Sequence, residues 1–497
     1  MLSFLPGVPK IILNPDIVFF VILPPLLYNA AWVTSWREFS YNLVSIVFLA
    51  FGLVTFTVIG VTAAGNLFLP GFDWRIGLVL GAIVAPTDAI AATSIARRLG
   101  LPRRLVDLLE GESLLNDASA LLALEFGIGL LVAGHVPTFS EGALRLCYLV
   151  AAGIAVGLAI GEIVHRVEHR IDDGPIEIAL SILTPYVAYL TADFIRASGV
   201  LAVVACGLYV SRKSSHFFSP TVRLQAWAVW ESLTFILNGL VFVLIGLQLP
   251  YVMGAIGNND RRRLILIGLI FSGFLILLRV VWIFPGSYVA NLIRRRLLHQ
   301  PEPLPPARNV FILGWTGMRG VVSLAAAIAL PQVLANGTPF YQRNMIIFLA
   351  FSVILVTLVL QGLTLPPLIR ALRVGGAAAG ASDEEDLQAR RTILQAALSH
   401  LEKSGGECDP ASAEVYRDLA HHYRHRLETL TDSGDGLQND VSPSSYRCYT
   451  DLSRELLDVE RQTAVRLRDE RRISDDLLRD ILYELDLGEA RLLVKAS

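Results

Sequence analysis

Gly81-Ala82-Ile83-Val84-Ala85-Pro86-Thr87-Asp88-Ala89-Ile90 reads as a membrane helix that breaks in its middle. Pro86 removes a backbone donor and clashes with the preceding turn, and Asp88 follows the break directly. Freed backbone groups at membrane depth are tolerated only against protein or a water-filled cavity. The bland reading is a proline kink with Asp88 capping the next half-helix, where a carboxylate is favoured. That reading is compatible with a functional one.

The surrounding sequence supports a membrane setting. The 497 residues are 54% hydrophobic and 17% charged, against about a quarter charged in soluble proteins. Mean hydropathy is +0.54. Spanning helices need about 20 mainly apolar residues. Eleven such segments are predicted, near 15–35, 41–64, 75–96, 108–133, 141–164, 175–194, 198–211, 227–249, 263–288, 308–334 and 344–370. Residues 1–375 carry 26 Lys and Arg against 19 Asp and Glu, whereas residues 376–497 carry 16 against 25. Two domains are therefore expected: a transmembrane part, 1–375, and an acidic helical tail, 376–497, with amphipathic stretches at Leu452–Arg468 and Ser474–Leu493. Cys147, Cys206, Cys408 and Cys448 have no paired spacing, so neither a disulfide framework nor a zinc site is expected.

Short cytoplasmic loops collect Lys and Arg. The loop Arg97-Arg98-Leu99-Gly100-Leu101-Pro102-Arg103-Arg104 is placed inside on that basis. Alternation puts Arg166, Arg170, Arg212, Lys213, Arg294-Arg295-Arg296 and the tail on the same side. Arg261-Arg262-Arg263 falls outside and is the exception.

Ionisable residues inside a membrane are costly and mark function. The fourth segment holds Glu110-Gly111-Glu112-Ser113-Leu114-Leu115-Asn116-Asp117. Helical spacing puts Ser113 and Asp117 on one face, with Glu112 and Asn116 on the adjoining one. That stripe is rich in oxygen, the ligand atom of hard cations. A solvated helix end accounts for Glu110 and Glu112 but not for Asp117, since apolar residues run on from Ala118. Arg279, alone in the ninth segment, needs a buried carboxylate; Glu112, Asp88 and Asp117 are the candidates. The tenth segment carries Gly314, Gly317 and Gly320 around Arg319. Close helix packing explains such glycines, but the arginine among them favours a second broken helix.

Two interrupted helices in corresponding halves point to a transporter site. Here they are the third and tenth segments, an offset of seven. The same offset pairs the first four segments with the eighth to eleventh. It leaves the sixth and seventh matching two helices before residue 1.

Phe19-Phe20-Val21-Ile22-Leu23-Pro24-Pro25-Leu26-Leu27, Pro86-Thr87-Asp88, Gly111-Glu112-Ser113-Leu114-Leu115-Asn116-Asp117 and Gly317-Met318-Arg319-Gly320 occur in that order. In these stretches the chain resembles bacterial sodium/proton antiporters of the cation/proton antiporter-1 family, relatives of the animal sodium/proton exchangers. The Gly-Glu-Ser to Asn-Asp string is the most specific. The resemblance runs from near residue 3 to about 373, and Arg471-Arg472-Ile473-Ser474-Asp475-Asp476 is similar to bacterial tails. It implies an all-α membrane bundle with inverted repeats, two crossing broken helices and usually a homodimer. Thirteen spans are usual, so an upstream extension of two spans is expected. It also implies roles: Asp117 as the main ion- and proton-binding carboxylate, Thr87 and Ser113 as oxygen ligands, and Asp88 at the crossing. Glu112 pairs with Arg279, Arg319 supports the unwound stretch with Pro86, Gly317 and Gly320, and Asn116 stands where electrogenic relatives carry a second aspartate.

The function expected is Na⁺ (or Li⁺) exchange for H⁺ across the bacterial plasma membrane, electroneutral because Asn116 is neutral. A buried carboxylate favours a proton, a nearby cation favours its ionised form, and the two ligands therefore compete. The ions and the bilayer are the partners; no cofactor, resident metal, nucleic acid or enzymatic chemistry is implied. A K⁺/H⁺ exchanger uses the same scaffold. An intramembrane aspartic protease built on Asp88 and Asp117 lacks its Gly-x-Gly-Asp signature and leaves Arg279 without a role. A non-transporting sensor with the tail as output is the third class.

Overall fold

The computed structural model describes residues 14–68, 73–133, 138–171, 173–213, 220–255, 261–299, 305–333 and 339–374, and beyond these chiefly helical stretches at 391–403 and 455–467. The chain divides into two compact units, Met1–Ala379 and Gly380–Ser497. In the second, helix 455–467 lies within the predicted Leu452–Arg468 stretch and buries Ala464. Met1–Gly7, Cys408, Cys448, Arg471–Asp476 and most of Ser474–Leu493 lie outside the described residues.

The first unit is helical. A wide-turn segment Ile17–Ile22 leads into α1 (Leu23–Val33), followed by α2 (Trp36–Val47), a second wide turn Phe48–Gly52 and α3 (Leu53–Phe68). Then come α4 (Trp74–Val84), α5 (Ala89–Arg98), α6 (Arg103–Ala133), α7 (Phe139–Glu168), α8 (Gly174–Phe194), α9 (Gly199–Lys213), α10 (Pro220–Ala255) and α11 (Arg261–Leu297). The last are α12 (Ala307–Trp315), α13 (Val321–Ile328), α14 (Arg343–Val356), a third wide turn Thr357–Gln361 and α15 (Gly362–Leu372). Each of the eleven apolar segments coincides with a helix or with a pair of half-helices. Among the described residues, seven continuous helices are long and apolar enough to cross a membrane. The third and tenth segments are the broken ones, as expected: α4/α5 part at Ala85–Asp88, and α12/α13 at Thr316–Gly320.

The helices form two groups. In one, the short α9 packs against α1, α7 and α8 and is buried along most of its length. In the other, α3, α6, α11 and α14 surround the half-helices, and every residue of α13 is buried. Leu144, Leu183, Leu190, Phe194, Phe235 and Ile236, on α7, α8 and α10, are exposed, which suits helices facing lipid tails.

The wide turns follow from missing or diverted backbone bonds. Pro24 and Pro25 cannot donate to the carbonyls four residues back, so Leu23 N–H bonds Val18 instead and the turn widens. The Val21 carbonyl, freed by Pro25, accepts from the Tyr186 hydroxyl of α8 at 3.0 Å. At the second wide turn, Ser119 of α6 donates to the Ala50 carbonyl at 2.6 Å and Trp282 of α11 to that of Phe48 at 3.4 Å. In a membrane such carbonyls must find partners within the protein. Tyr186→Phe should therefore lower stability by about 1 kcal/mol, read from thermal melts of purified protein. The loss should shrink in a Pro25→Ala background, where Val21 regains a backbone donor.

Candidate functional site

The two breaks meet. The backbone N–H of Asp88, in the first break, donates to the Met318 carbonyl, in the second, at 2.8 Å. Asp88 immediately precedes α5, and its carboxyl group fills the space a side chain at Gly320 would need: an ideal Cβ there would lie 2.7 Å from Asp88 Cβ. Gly320 immediately precedes α13. The Asp88 carboxylate thus faces the N-termini of two half-helices, the ends that carry positive partial charge.

Arg319 serves the opposite ends. Its Nε donates to the carbonyl of Val84, the last residue of α4, at 3.2 Å, and its Nη1 to that of Gly317 at 2.5 Å. Its own N–H donates to the Thr357 hydroxyl at 3.1 Å, which joins the crossing to the third wide turn. Arg319 is buried. A cation at the carbonyl end of a half-helix is where the helix dipole favours one.

Beside the crossing lies an ion pair. Arg279 of α11 binds Glu112 of α6 through both guanidinium nitrogens, Nη1–Oε1 at 2.5 Å and Nη2–Oε2 at 2.8 Å. Each residue is only 1% exposed. Of the three carboxylates that sequence offers Arg279, Glu112 takes this bidentate place. Arg279 also donates to the Leu313 carbonyl of α12 at 3.3 Å. Gly317 lets the guanidinium pass, because a Cβ there would lie 2.6 Å from Arg279 Nε. From Glu112 a chain of bonds runs outward. Thr87 Oγ1 donates to Glu112 Oε1 at 2.9 Å, and Asn116 Nδ2 donates to Thr87 Oγ1 at 2.7 Å. Asn116 Oδ1 is buried and has no hydrogen-bond partner among the described residues.

Asp117 follows Asn116 and faces the other way, into a cavity of about 560 Å³. Pro86, Thr87, Asp88, Ser113 and Gly320 line the same cavity, so the predicted site residues converge on it or stand directly behind it. Asp117 is 8% exposed. Opposite are Asn29 of α1 and Glu231, Thr234 and Asn238 of α10. Toward the Arg97 end, Arg97 of α5 and Glu110 of α6 line the cavity and form an ion pair at 2.6 Å. Sequence reasoning does not single out Glu231, Thr234 and Asn238, although a polar i, i+3, i+7 stripe in an apolar helix was a usable signal. Nor does it join Arg97 to Glu110. Ser323 Oγ also reaches the wall without a hydrogen-bond partner among the described residues. No group of three or more metal-ligating side chains occurs among the described residues.

The pair makes a stability prediction. Removing one side of a buried ion pair leaves an uncompensated charge at a cost of about 3–5 kcal/mol. Arg279→Ala should melt early and express poorly, while Glu112→Gln/Arg279→Met recovers much of the loss. Melting curves of both variants check this.

Comparison with known proteins fits this geometry. Residues 3–371 match the family model described as "Sodium/hydrogen exchanger, transmembrane". An uncharacterised Na⁺/H⁺ exchanger of Mycobacterium tuberculosis is 34% identical over all of this chain and 91% of its own length. A sodium, potassium, lithium and rubidium/H⁺ antiporter of Bacillus pumilus is 33% identical over 86% of this chain and 64% of its own. Among solved structures, the sodium proton antiporter MjNhaP1 from Methanocaldococcus jannaschii superposes with a TM-score of 0.56 at 20% identity, covering 73% of this chain and 86% of that one. That likeness is one of fold. The chain is a multi-pass membrane protein and belongs to the sodium/hydrogen exchanger family of antiporters.

Proposed function

We propose that this protein exchanges one Na⁺ or Li⁺ for one H⁺ across the bacterial plasma membrane, with Asp117 as the carrier. The observation that carries the reading is the position of Asp117. It is a buried carboxylate in the wall of an open cavity, beside oxygen atoms whose hydrogen-bonding capacity is not used up. An ionised carboxylate in such a wall is costly without a cation, so it holds either a proton or a metal ion. Asn116 Oδ1 has no partner among the described residues, and the Ser113 side chain lines the cavity beside Asp117. Thr87, with its hydrogen on Glu112 and one lone pair taken by Asn116, retains a second lone pair. The Thr87 and Ser113 oxygens in the cavity wall and the Asp117 carboxylate form the cation site, with Asn116 behind it holding Thr87.

Three of the other carboxylates that line the cavity or stand behind it have a fixed compensation, while Glu231 on the facing wall is exposed. Glu112 is neutralised by Arg279, Glu110 by Arg97, and Asp88 by the two helix ends. Occupied Asp117 is neutral overall, and the group containing α4/α5 and α12/α13 then moves against the group containing α1 and α10, exposing the cavity to the other side. The tail on the cytoplasmic side rests on loop charge, and the homodimer on family resemblance. Potassium as an alternative cargo is favoured by one observation, the similarity to a relative named for sodium, potassium, lithium and rubidium.

Transport tests the assignment. Everted vesicles holding a pH-quenched dye should dequench on adding Na⁺ or Li⁺, and the same assay with K⁺ settles the alternative cargo. Correctly inserted Asp117→Asn should give no dequenching with any of the three ions, and normal exchange by that variant would sink the role of Asp117.

Stoichiometry has its own test. Moving a unit charge through a membrane potential costs about 2.3 kcal/mol per 100 mV, so only an electrogenic cycle responds to voltage. In proteoliposomes clamped with valinomycin, once K⁺ transport is excluded, Na⁺/H⁺ exchange should keep its rate and direction as the potential is varied. A several-fold change would mean that a second carboxylate cycles, with Asp88 the first suspect.

A further inference from the structure

A second cavity, of about 200 Å³, lies between α2, α6, α11 and α12 and shares no lining residue with the ion cavity. Its walls are mostly apolar, from Phe48, Leu49, Leu105, Leu108 and Ile283, and its lining includes Arg104 and Arg294 but no carboxylate. Arg294 is 3% exposed, with its guanidinium 4.6 Å over the Tyr41 ring. An apolar chamber edged by two cations matches an amphiphile with an anionic head.

Two helix N-termini add to the same charge. Pro102 and Pro306, both in the lining, immediately precede α6 and α12. Neither helix has an acidic residue in its first turn, and α12 has no side-chain cap. Both ends present backbone N–H groups that suit an anion. In α6 the first turn carries Arg103 and Arg104, a placement that opposes the helix dipole. An anion seated there lies at two helix N-termini and beside the Arg104 and Arg294 side chains that line the cavity. Loop charge puts these arginines on the cytoplasmic side, where basic pockets between helices meet anionic lipid heads.

We propose that this cavity binds an anionic membrane phospholipid, its phosphate between Arg104 and Arg294 and the start of its acyl region against the apolar wall. The site borders the transport core. Leu313 lines the cavity, and its carbonyl receives Arg279 Nη2. A lipid seated here braces α11 against α12 next to the Glu112–Arg279 pair and therefore stabilises the fold.

The test uses the purified full-length protein in detergent, with phosphatidylglycerol, phosphatidylcholine of the same chains, or inorganic phosphate added. Bound lipid is read by native mass spectrometry and stability by thermal melting. Phosphatidylglycerol should stay bound and raise the melting temperature, whereas phosphatidylcholine and phosphate should not. Arg104→Gln, at a half-buried position, should weaken phosphatidylglycerol binding by about tenfold or more, the factor for one lost charge-assisted hydrogen bond. Ser287→Phe fills the cavity from α11 and leaves every arginine in place; it should remove the lipid effect too. Equal effects of the two lipids, or no change in either variant, overturn the proposal. An equal effect of inorganic phosphate overturns the lipid assignment in favour of a free-anion site.

Discussion

The Glu112–Arg279 pair is the constraint around which the core is arranged. Two charges in a membrane interior are expensive, and their attraction compensates only when the geometry is good and the remaining polar atoms are satisfied. The bidentate contact meets the first condition, and the second is met in part, since Arg279 Nε has no hydrogen-bond partner among the described residues. The bidentate contact fixes α11 against α6. A third guanidinium hydrogen goes to Leu313 and so fixes α12. The spare carboxylate lone pair takes the Thr87 hydroxyl and so fixes the break between α4 and α5. One pair thereby ties together both broken helices and the two helices that carry it. Gly317 belongs to the same arrangement, since any side chain there would meet the guanidinium.

Breaking helices inside a bilayer frees backbone groups that lipid cannot satisfy. The crossing handles this by mutual supply. Asp88 N–H goes to Met318, Arg319 closes the Val84 carbonyl, and the Asp88 carboxylate sits at the two positive ends. The wide turns obey the same rule at a distance, with Tyr186, Ser119 and Trp282 each reaching a displaced carbonyl from a neighbouring helix. Polar side chains that look out of place in apolar helices are, in these cases, the partners of backbone groups.

Much of this was legible in the sequence, for local reasons. Pro86 beside Asp88 and the glycines around Arg319 announce breaks through the conformational limits of single residues. Apolar length announces the segments, and helical spacing joins Ser113 to Asp117. What sequence leaves open is partner choice. Residue chemistry alone gave Arg279 three carboxylates, and only resemblance narrowed them to Glu112. The Arg97–Glu110 pair and the facing wall of Glu231, Thr234 and Asn238 depend on how separate helices pack, which no local pattern encodes. The wide turn at Thr357–Gln361 has no proline at its own positions, and its link to Arg319 N–H could not be read from spacing.

The polarity of the hydrogen-bond chain explains why an amide suits position 116. Arg279 can only donate, so Glu112 must accept. Glu112, with both carboxylate oxygens accepting from Arg279, also accepts from Thr87, which commits the hydroxyl hydrogen. Thr87 Oγ1 can then only accept, and the residue at 116 must donate to it. Asn116 does so through Nδ2, and its carbonyl oxygen is turned away from the chain, with no partner among the described residues. An ionised aspartate has no hydrogen to give, so it would break the chain at Thr87 or oblige Thr87 to turn its hydrogen away from Glu112. A protonated aspartate would keep the chain intact. A carboxyl group at 116 would be coupled through two hydrogen bonds to the buried ion pair, whereas the amide holds the same bonds without a proton to exchange. In the exchange cycle proposed above, Asn116 therefore leaves Asp117 as the one carboxylate that cycles.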